Sequence, residues 1–146
     1  MSENLQDIVY ALQCAQNVCF AARASGLYRS TDGGRSWEFA YASLASTQPL
    51  PTTSVVLSPN FAADHTVFTG VTGGVLYSLD GGDSWQIVGL GSPPPTVSAL
   101  TISPDFGRDG VLLAGTMEDG VFRSGNRGHN WAAWNFGLLD LAVFAL

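Results

Sequence analysis

The chain has 146 residues, of which 46% are hydrophobic and 12% are charged, with 17 glycines and 7 prolines. This composition excludes a disordered chain and suits a domain of short strands separated by turns. The net charge of −6 comes from 12 acidic residues against six arginines, without any lysine. Nucleic acid and acidic membrane surfaces are therefore disfavoured as partners, because phosphate binding requires a basic patch.

No stretch of the sequence approaches the length of an apolar membrane helix, so no membrane insertion is expected. The first residues are acidic and have neither the basic start nor the apolar core of a signal peptide. We therefore expect a cytoplasmic protein by default, and export stays open if the authentic start is missing from the sequence.

The predicted elements are short β-strands that recur in one order along the chain. After an opening strand near residues 7–12, each unit has a run before a turn, a run after it, a run that enters a glycine-rich phrase and a run that leaves it. The first three runs are 55–57, 67–70 and 74–78 in the second unit. They are 100–102, 111–115 and 120–124 in the third. Such β-favouring runs between turn residues are typical of strands. Each unit therefore predicts four strands.

The glycine-rich phrase occurs three times, at residues 30–37, 78–85 and 124–131. Its tryptophans lie 48 and then 46 residues apart, which makes the chain a tandem array. Asp followed by Gly-Gly predicts a hairpin turn, since Gly accepts a positive φ and short Asp and Ser side chains bond nearby N–H groups. We expect structural roles in these turns for twelve residues: Ser30, Asp32, Gly34, Trp37, Ser78, Asp80, Gly82, Trp85, Ser124, Asn126, Gly128 and Trp131.

The phrase resembles the Asp-box, or bacterial neuraminidase repeat, whose pattern is Ser-x-Asp-x-Gly-x-Ser/Thr-Trp. The first two copies fit fully, whereas the third has Asn126 and Asn130, so we expect its hydrogen bonds to be weaker or differently made. Nearly the whole chain is similar to the propellers of sortilin-type ectodomains and photosystem II assembly factors. The resemblance implies an all-β fold of four-stranded antiparallel β-propeller blades, near residues 5–48, 49–94 and 95–139.

Three blades are fewer than the roughly four to eight of a closed propeller, so we do not expect one chain to close a ring. Residues 140–146 also look like a copy of the opening strand, with Val9 aligned to Val143. Because an unpaired apolar strand calls for a partner, we predict a six-bladed ring of two chains joined head to tail. The strand latch of this homodimer would be Leu141, Val143, Phe144 and Leu146. Another propeller-completing chain, or a longer propeller, stays open.

Cys14 and Cys19 are the two cysteines of the sequence. They form one Cys-x4-Cys pair, and the sequence has no second pair to complete a tetrahedral metal site. We therefore expect neither a metal nor another cofactor. Cys19 aligns with Val67, an inward strand position, so we favour buried free thiols over a disulfide across the first hairpin. Export to an oxidising compartment would favour the disulfide.

The repeated aspartates, Asp32, Asp80, Asp64 and Asp109, indicate structure, because chemistry at one site needs no copy in every blade. The nonrepeated acids lie beside turns or at strand edges, where solvated charges are ordinary: Glu38, Asp83, Glu118 and Asp119. A glycosidase would need one unique pair of carboxylates facing a cleft. We therefore predict that the chain is not an enzyme.

The predicted function is a scaffold that binds a protein partner, as an assembly or accessory subunit of a larger complex. The candidate contact regions are the loops at 58–64 and 103–109 and the proline turn at 92–96, because loops on a rigid framework commonly carry recognition. One alternative is a glycan-binding or glycan-hydrolysing module of sialidase or glucanase type, although the Arg-Ile-Pro phrase of sialidases is absent. Another is a half-propeller completed by a different protein.

Overall fold

The computed structural model describes residues 7–46, 48–135, 137–138 and 140–146. They form three four-stranded antiparallel sheets, and within each sheet every strand pairs with the next strand in the sequence. The all-β prediction of three four-stranded blades is confirmed.

The first blade consists of β1 (Val9–Ala15), β2 (Val18–Arg23), β3 (Gly26–Ser30) and β4 (Glu38–Phe39). The strand β2 is buried over most of its length, whereas β1 is largely exposed, because none of the described blades covers its outer side. A short 3-10 turn, Ala42–Leu44, then leads to the second blade.

The two cysteines pair across the first hairpin. Cys14 on β1 lies directly opposite Cys19 on β2, and a disulfide joins them. The preference for free thiols is therefore wrong, although Cys19 does occupy the expected buried position. The physical reason is the short connection through Gln16 and Asn17, which places the cysteines in register and within bonding reach.

The second blade consists of β5 (Thr52–Leu57), β6 (Val67–Val71), β7 (Gly74–Ser78) and β8 (Gln86–Gly89), with the short helix α1 (Phe61–Asp64) between β5 and β6. Every residue of β6 and β7 is buried. This is the strand pattern expected of a sheet that has a neighbouring blade on each face.

The third blade repeats this plan with β9 (Val97–Ile102), α2 (Phe106–Asp109), β10 (Leu112–Thr116), β11 (Val121–Ser124) and β12 (Ala132–Ala133). The first strands of successive blades lie side by side, β1 beside β5 and β5 beside β9. The three blades therefore stack in chain order.

One bulge sets a common register for the blades. In each first strand, one residue is skipped in the pairing with the second strand: Tyr10, Thr53 or Ser98. Equivalent positions can therefore be compared from blade to blade in structural terms, and not only by sequence.

The apolar core lies between blades and not within any one of them. One cluster joins the first and second blades around Phe20, Phe61 and Trp85. A second cluster joins the second and third blades around Phe68 and Phe106. Burying one such side chain stabilises the fold by about 1.5–3 kcal/mol. A single blade therefore depends on its neighbours for stability.

Residues 140–146, which the sequence predicts as an extra strand, form no regular strand. They are held on the third blade by two backbone hydrogen bonds, from Val143 N–H to the Thr116 carbonyl and from Gly120 N–H to the Leu141 carbonyl, each 2.8 Å long. The segment lacks a regular ladder because none of the described strands lies along its outer edge.

The tryptophan of each glycine-rich turn differs in burial according to what precedes its blade. Trp85 is 7% exposed, and its Nε1 donates to the Ala40 carbonyl of the first blade at 2.9 Å. Trp131 is partly buried against the second cluster. Trp37, against which no described blade packs from the other side, is 37% exposed, and its Nε1 donates to the Gly34 carbonyl of its own turn.

Replacing Trp85 by alanine should lower the free energy of unfolding by about 3–5 kcal/mol, because it empties a buried space between two blades. The matched variant Trp37→Ala should cost only about 1 kcal/mol, since that ring is already partly in water. Chemical denaturation of both variants measures the difference. Equal losses would contradict a role for burial between blades.

Candidate functional site

The three glycine-rich turns at 30–37, 78–85 and 124–131, called the box turns from here on, are stabilised by their own polar side chains. In the first, the N–H groups of Arg35 and Ser36 donate to Asp32 Oδ1, both at 2.9 Å. The Ser36 hydroxyl donates to Asp32 Oδ2 at 2.5 Å. Asp32 therefore lies at the centre of the turn and is committed to its structure.

The second box turn repeats these bonds around Asp80. In the third, Asn126 makes a different set. Its Nδ2 donates to Asn130 Oδ1 at 2.8 Å, whereas the aspartates accept a bond from a serine at this place. Its Oδ1 still accepts from Asn130 N–H at 2.9 Å. The turn is thus kept with one hydrogen bond reversed in direction.

Hydrogen bonds lower the pKa of both box aspartates. The Ser36 hydroxyl, followed by the N–H of Ser36 and the Ser30 hydroxyl, lowers the pKa of Asp32 to about 2. For Asp80, partial burial raises the pKa, but bonds from the hydroxyls of Ser84 and Ser78 outweigh it and lower the pKa to about 2. Both carboxylates are ionised at neutral pH, as hydrogen-bond acceptors.

Arg29 connects the first blade to the second box turn. Its Nη1 donates to the Gly81 carbonyl and to Asp83 Oδ1, both at 2.8 Å, and its Nη2 donates to Glu38 Oε1 at 3.0 Å. Burial lowers the pKa of Arg29, but the bonds to Asp83 and then Glu38 outweigh it, so the pKa is raised. The two acids thus share one guanidinium, and the cluster keeps a net charge of −1.

Sequence reasoning assigned both of these acids to solvent and missed the cluster. Their partner, Arg29, lies immediately before the first serine of the box turn, and the same position holds Tyr77 and Arg123 in the other blades. A polar or charged side chain repeated at this position is the signal that could have found a contact between blades.

A pocket of about 450 Å³ opens where the second and third blades meet. Its apolar wall includes Leu90 and Phe122, both largely buried, and its rim carries Glu118 and Asp119, both exposed. The proline turn at 92–96 forms another side of the pocket. Among the four nonrepeated acids, the structure therefore places two in an ion cluster and two at this rim.

The predicted contact regions lie on two opposite faces. The loop at 58–64 lies beside the second box turn, since Gly81 N–H donates to the His65 carbonyl. The proline turn lies at the other end of the strands, where Gly73 N–H donates to the Pro95 carbonyl. The structure therefore does not bring these regions into one site.

The loops at 58–64 and 103–109 are closed by their own side chains. The Ser58 hydroxyl donates to Asp64 Oδ2 at 2.6 Å, and Ser103 and Asp109 make the same bond at 2.7 Å in the third blade. Phe61 and Phe106, at the heart of these loops, are buried between blades. Much of each loop therefore serves packing.

The four predicted latch residues differ in their surroundings. Val143 packs on the third blade, where a Cβ built on Gly115 would lie 2.7 Å from its Cγ1. Leu141, Phe144 and Leu146 are exposed. An apolar surface is therefore open to solvent along this segment.

The described residues hold no group of three or more His, Cys, Asp or Glu side chains placed to bind a metal ion. No helix in that part of the chain is long and apolar enough to cross a membrane.

No protein-family model and no curated protein matches the chain. Solved structures do resemble it. An ancestral GH74 enzyme has a TM-score of 0.68 at 22% identity, covering 84% of this chain and 18% of that one. YCF48 bound to D1 peptide has a TM-score of 0.66 at 18% identity, covering 88% of this chain and 39% of that one.

The computationally designed Ika4 protein has a TM-score of 0.64 at 15% identity, covering 97% of this chain and 79% of that one. At such identities the likeness concerns the fold, which is that of a β-propeller. The chain spans less than half the length of the GH74 enzyme and of YCF48. These propellers include both enzymes and proteins that are not enzymes.

Acid should destabilise the protein between about pH 4 and pH 2. A carboxylate whose pKa falls on folding, here from 3.8 to about 2 for Asp32 and Asp80, contributes stability above its unfolded pKa. That stability is lost as the pH falls through the folded pKa. The Asp32→Asn/Asp80→Asn variant should be less stable at neutral pH and should show a shallower decline in acid.

Melting temperatures measured across this pH range test the expectation. The matched control is Glu118→Gln/Asp119→Asn, which removes two negative charges that lie outside the box turns. It should leave the steep decline in place. An equally steep decline in the box-turn variant would show that the two aspartates do not account for it.

Proposed function

We propose that the chain is a noncatalytic propeller scaffold that binds a segment of another protein in the pocket between the second and third blades. The observation that carries the proposal is the chemistry of this pocket. The lining combines the buried side chains of Leu90 and Phe122 with the exposed Glu118 and Asp119. Pockets that combine an apolar wall with a few polar groups are the usual form of a binding site.

The pocket suits a segment that has an apolar side chain beside a lysine or an arginine. The apolar side chain would be buried on the wall, and the cation would meet the two rim carboxylates. The overall net charge of −6 supports a basic ligand, because it attracts one over a distance. Prolines on the adjoining turn lack backbone N–H groups and have a fixed φ, which favours a rigid wall.

The likeness to YCF48 supports the proposal in one respect. That protein has the same fold and is bound to a D1 peptide. A propeller of this kind can therefore accept a peptide, and we extend only this general capacity to the present chain. We also propose that the box turns belong to the Asp-box class, on the strength of their pattern and bonds.

The glycan-hydrolysing alternative is supported by the likeness to GH74 enzymes. The acids argue against it. Glu38 and Asp83 both bind the Arg29 guanidinium, and Glu118 and Asp119 are neighbours on one connection. A glycosidase needs two carboxylates on opposite sides of the scissile bond, about 5–10 Å apart. We therefore favour binding over catalysis.

The open ends support a second part of the proposal, which is that another polypeptide completes the ring. A second copy would give the predicted six-bladed homodimer, and a different propeller-forming protein would give a mixed ring. The cellular compartment stays a prediction, and the Cys14–Cys19 disulfide favours an oxidising one over the cytoplasm.

Synthetic peptides test the pocket. A labelled peptide with one leucine beside two arginines should bind the intact chain, and the same peptide with glutamates in place of the arginines should not. In the Glu118→Gln/Asp119→Asn variant, affinity for the basic peptide should fall about tenfold, and added salt should weaken binding to the unchanged protein. Fluorescence anisotropy measures both effects.

Equal binding of both peptides, or equal affinity of the variant, would contradict the proposal. Xyloglucan serves as the enzymatic control, because a GH74 xyloglucanase from Xanthomonas campestris has a similar fold. Release of reducing sugar by the intact chain, lost in a Glu118→Gln variant, would favour the glycan-hydrolysing alternative.

A further inference from the structure

The junction between the first and second blades has two characteristic contacts. Phe20 lies so close to the second box turn that a Cβ built on Gly82 would be 3.0 Å from its ring, and it packs edge to face on Phe61 at 6.2 Å. Beside Phe20 in the pairing of β2 with β3, Arg29 binds Asp83 of the same box turn. An aromatic ring and a charge pair thus mark this junction.

The junction between the second and third blades repeats the arrangement. Phe68 lies against Gly128, whose Cβ would be 2.6 Å from the ring, and packs edge to face on Phe106 at 5.7 Å. Tyr77, paired with Phe68 as Arg29 is with Phe20, contacts His129 at 5.6 Å between ring centroids. His129 and Asp83 occupy the same place in their box turns.

The open face of the third blade carries the same two positions without a neighbour. Leu113 on β10 pairs with Arg123 on β11, as the phenylalanines do with their partners in the other blades. Leu113 lines a mainly apolar cavity of about 280 Å³ together with Ile102 and Val111. At the two internal junctions, Phe61 and Phe106 of the following blade fill the space over this position.

Arg123 is exposed, and no ion pair to it occurs among the described residues. Its own blade offers less compensation than the first blade does. Arg29 pairs with Glu38 on β4, whereas Arg123 lies opposite Ala132 on β12. Asp109 of the third blade lies near enough for its charge to be felt by Arg123, but it forms no ion pair with the guanidinium and binds Ser103 instead. A direct carboxylate partner for Arg123 is therefore left to a neighbouring blade.

The segment 140–146 lies on the third blade as the first strand of a following blade would. Val143 packs on Gly115 of the third blade as Val97 packs on Gly70 of the second, and in each case the glycine has no room for a Cβ. The Ser98 hydroxyl donates to the Val143 carbonyl, which matches the bond from Thr53 to Val97. The segment thus follows the path of the first strand of a blade, called the innermost strand here because the first strands lie side by side along the stack.

We propose that this face, with residues 140–146 as innermost strand, binds the three outer strands of a propeller blade from a different protein. That blade carries a carboxylate on its box turn, at the place of Asp83, and an aromatic residue on its preceding loop, at the place of Phe61. The carboxylate binds Arg123, and the aromatic ring fills the cavity over Leu113. This inference rests on the proposed completion of the ring by a second polypeptide.

A second copy of the chain meets neither requirement. Its first box turn has Arg35 where Asp83 lies in the second, so two arginines would face each other. Its first hairpin has the short Gln16–Asn17 turn and no aromatic loop residue. Its own β1 would also compete with residues 140–146 for one position, and the disulfide ties β1 to β2.

A fused chain tests the proposal without the natural partner. Leu146 aligns with Val55, so residues 56–94 of this protein, appended after Leu146, supply the rest of a blade with both required side chains. The fused chain should melt at a higher temperature and unfold with a larger denaturant m-value than the original chain, because a fourth blade buries the open face. Amides of residues 141–146 should become protected from hydrogen exchange.

Matched variants separate the proposed contacts from mere tethering. Arg123→Ala in the fused chain, or arginine at the Asp83 position of the appended copy, should remove much of the gain, and the two changes together should cost less than their sum. Alanine at the appended Phe61 position should also reduce the stability gain, and its effect should add to that of Arg123→Ala. A fused chain with no gain, or an equal gain in all variants, would overturn the inference.

Light scattering gives an independent result. The original chain should have the mass of one copy, 15.4 kDa. A stable species of twice that mass would overturn the exclusion of a second copy. Because the pocket between the second and third blades is present in every fused variant, peptide binding can be measured in parallel. Loss of peptide binding would count against the proposed function, and loss of the stability gain would count against this inference.

Discussion

The structure depends on an aromatic ring of one blade that packs directly on the backbone of the next. Phe20 on Gly82 and Phe68 on Gly128 are the two instances. Both glycines have a positive φ, +97° and +86°. A Cβ would collide with the Phe68 ring at Gly128, where it would lie 2.6 Å away, and would be in tight contact with the Phe20 ring at Gly82, at 3.0 Å. Glycine is thus required twice, for conformation and for space. The junction between blades, and not the blade itself, is the stabilising unit.

This dependence makes the three blades a one-dimensional stack, and the two outer faces of the stack have no neighbouring blade among the described residues. At the first end, the exposed side chains include Val9, Leu12 and Trp37. At the other end, Leu113 and Arg123 occupy the positions that Phe20 and Arg29 hold at the first junction, but no described blade packs on them. The two ends differ. The first blade exposes apolar side chains and carries Arg35 in its box turn, whereas the third blade has Arg123 beside the apolar cavity at Leu113. Under our proposal, this difference in charge decides which blade can pack on the third.

The polar side chains divide between building the stack and facing solvent. Asp32 and Asp80 hold their own turns, and Arg29 gathers two acids at a junction. Glu118 and Asp119 remain at the rim of a pocket, where neither is used by the fold through its carboxylate in the described contacts. This division is why the pocket, and not the repeated carboxylates, is the candidate for binding.

The sequence alone determined the number of blades, the order of their strands and the residues of the box turns, because these follow from a local pattern repeated three times. Contacts between blades were decided by the tertiary structure. The pairing of Arg29 with Asp83 spans 54 positions of the chain, and only stacking brings the two together. The disulfide depended on register in the first hairpin, and the pocket on two connections meeting at one junction. Local patterns determine the turns and strands. Packing and charge between blades determine the pocket and the ion cluster, because these bring together residues that are far apart in the sequence.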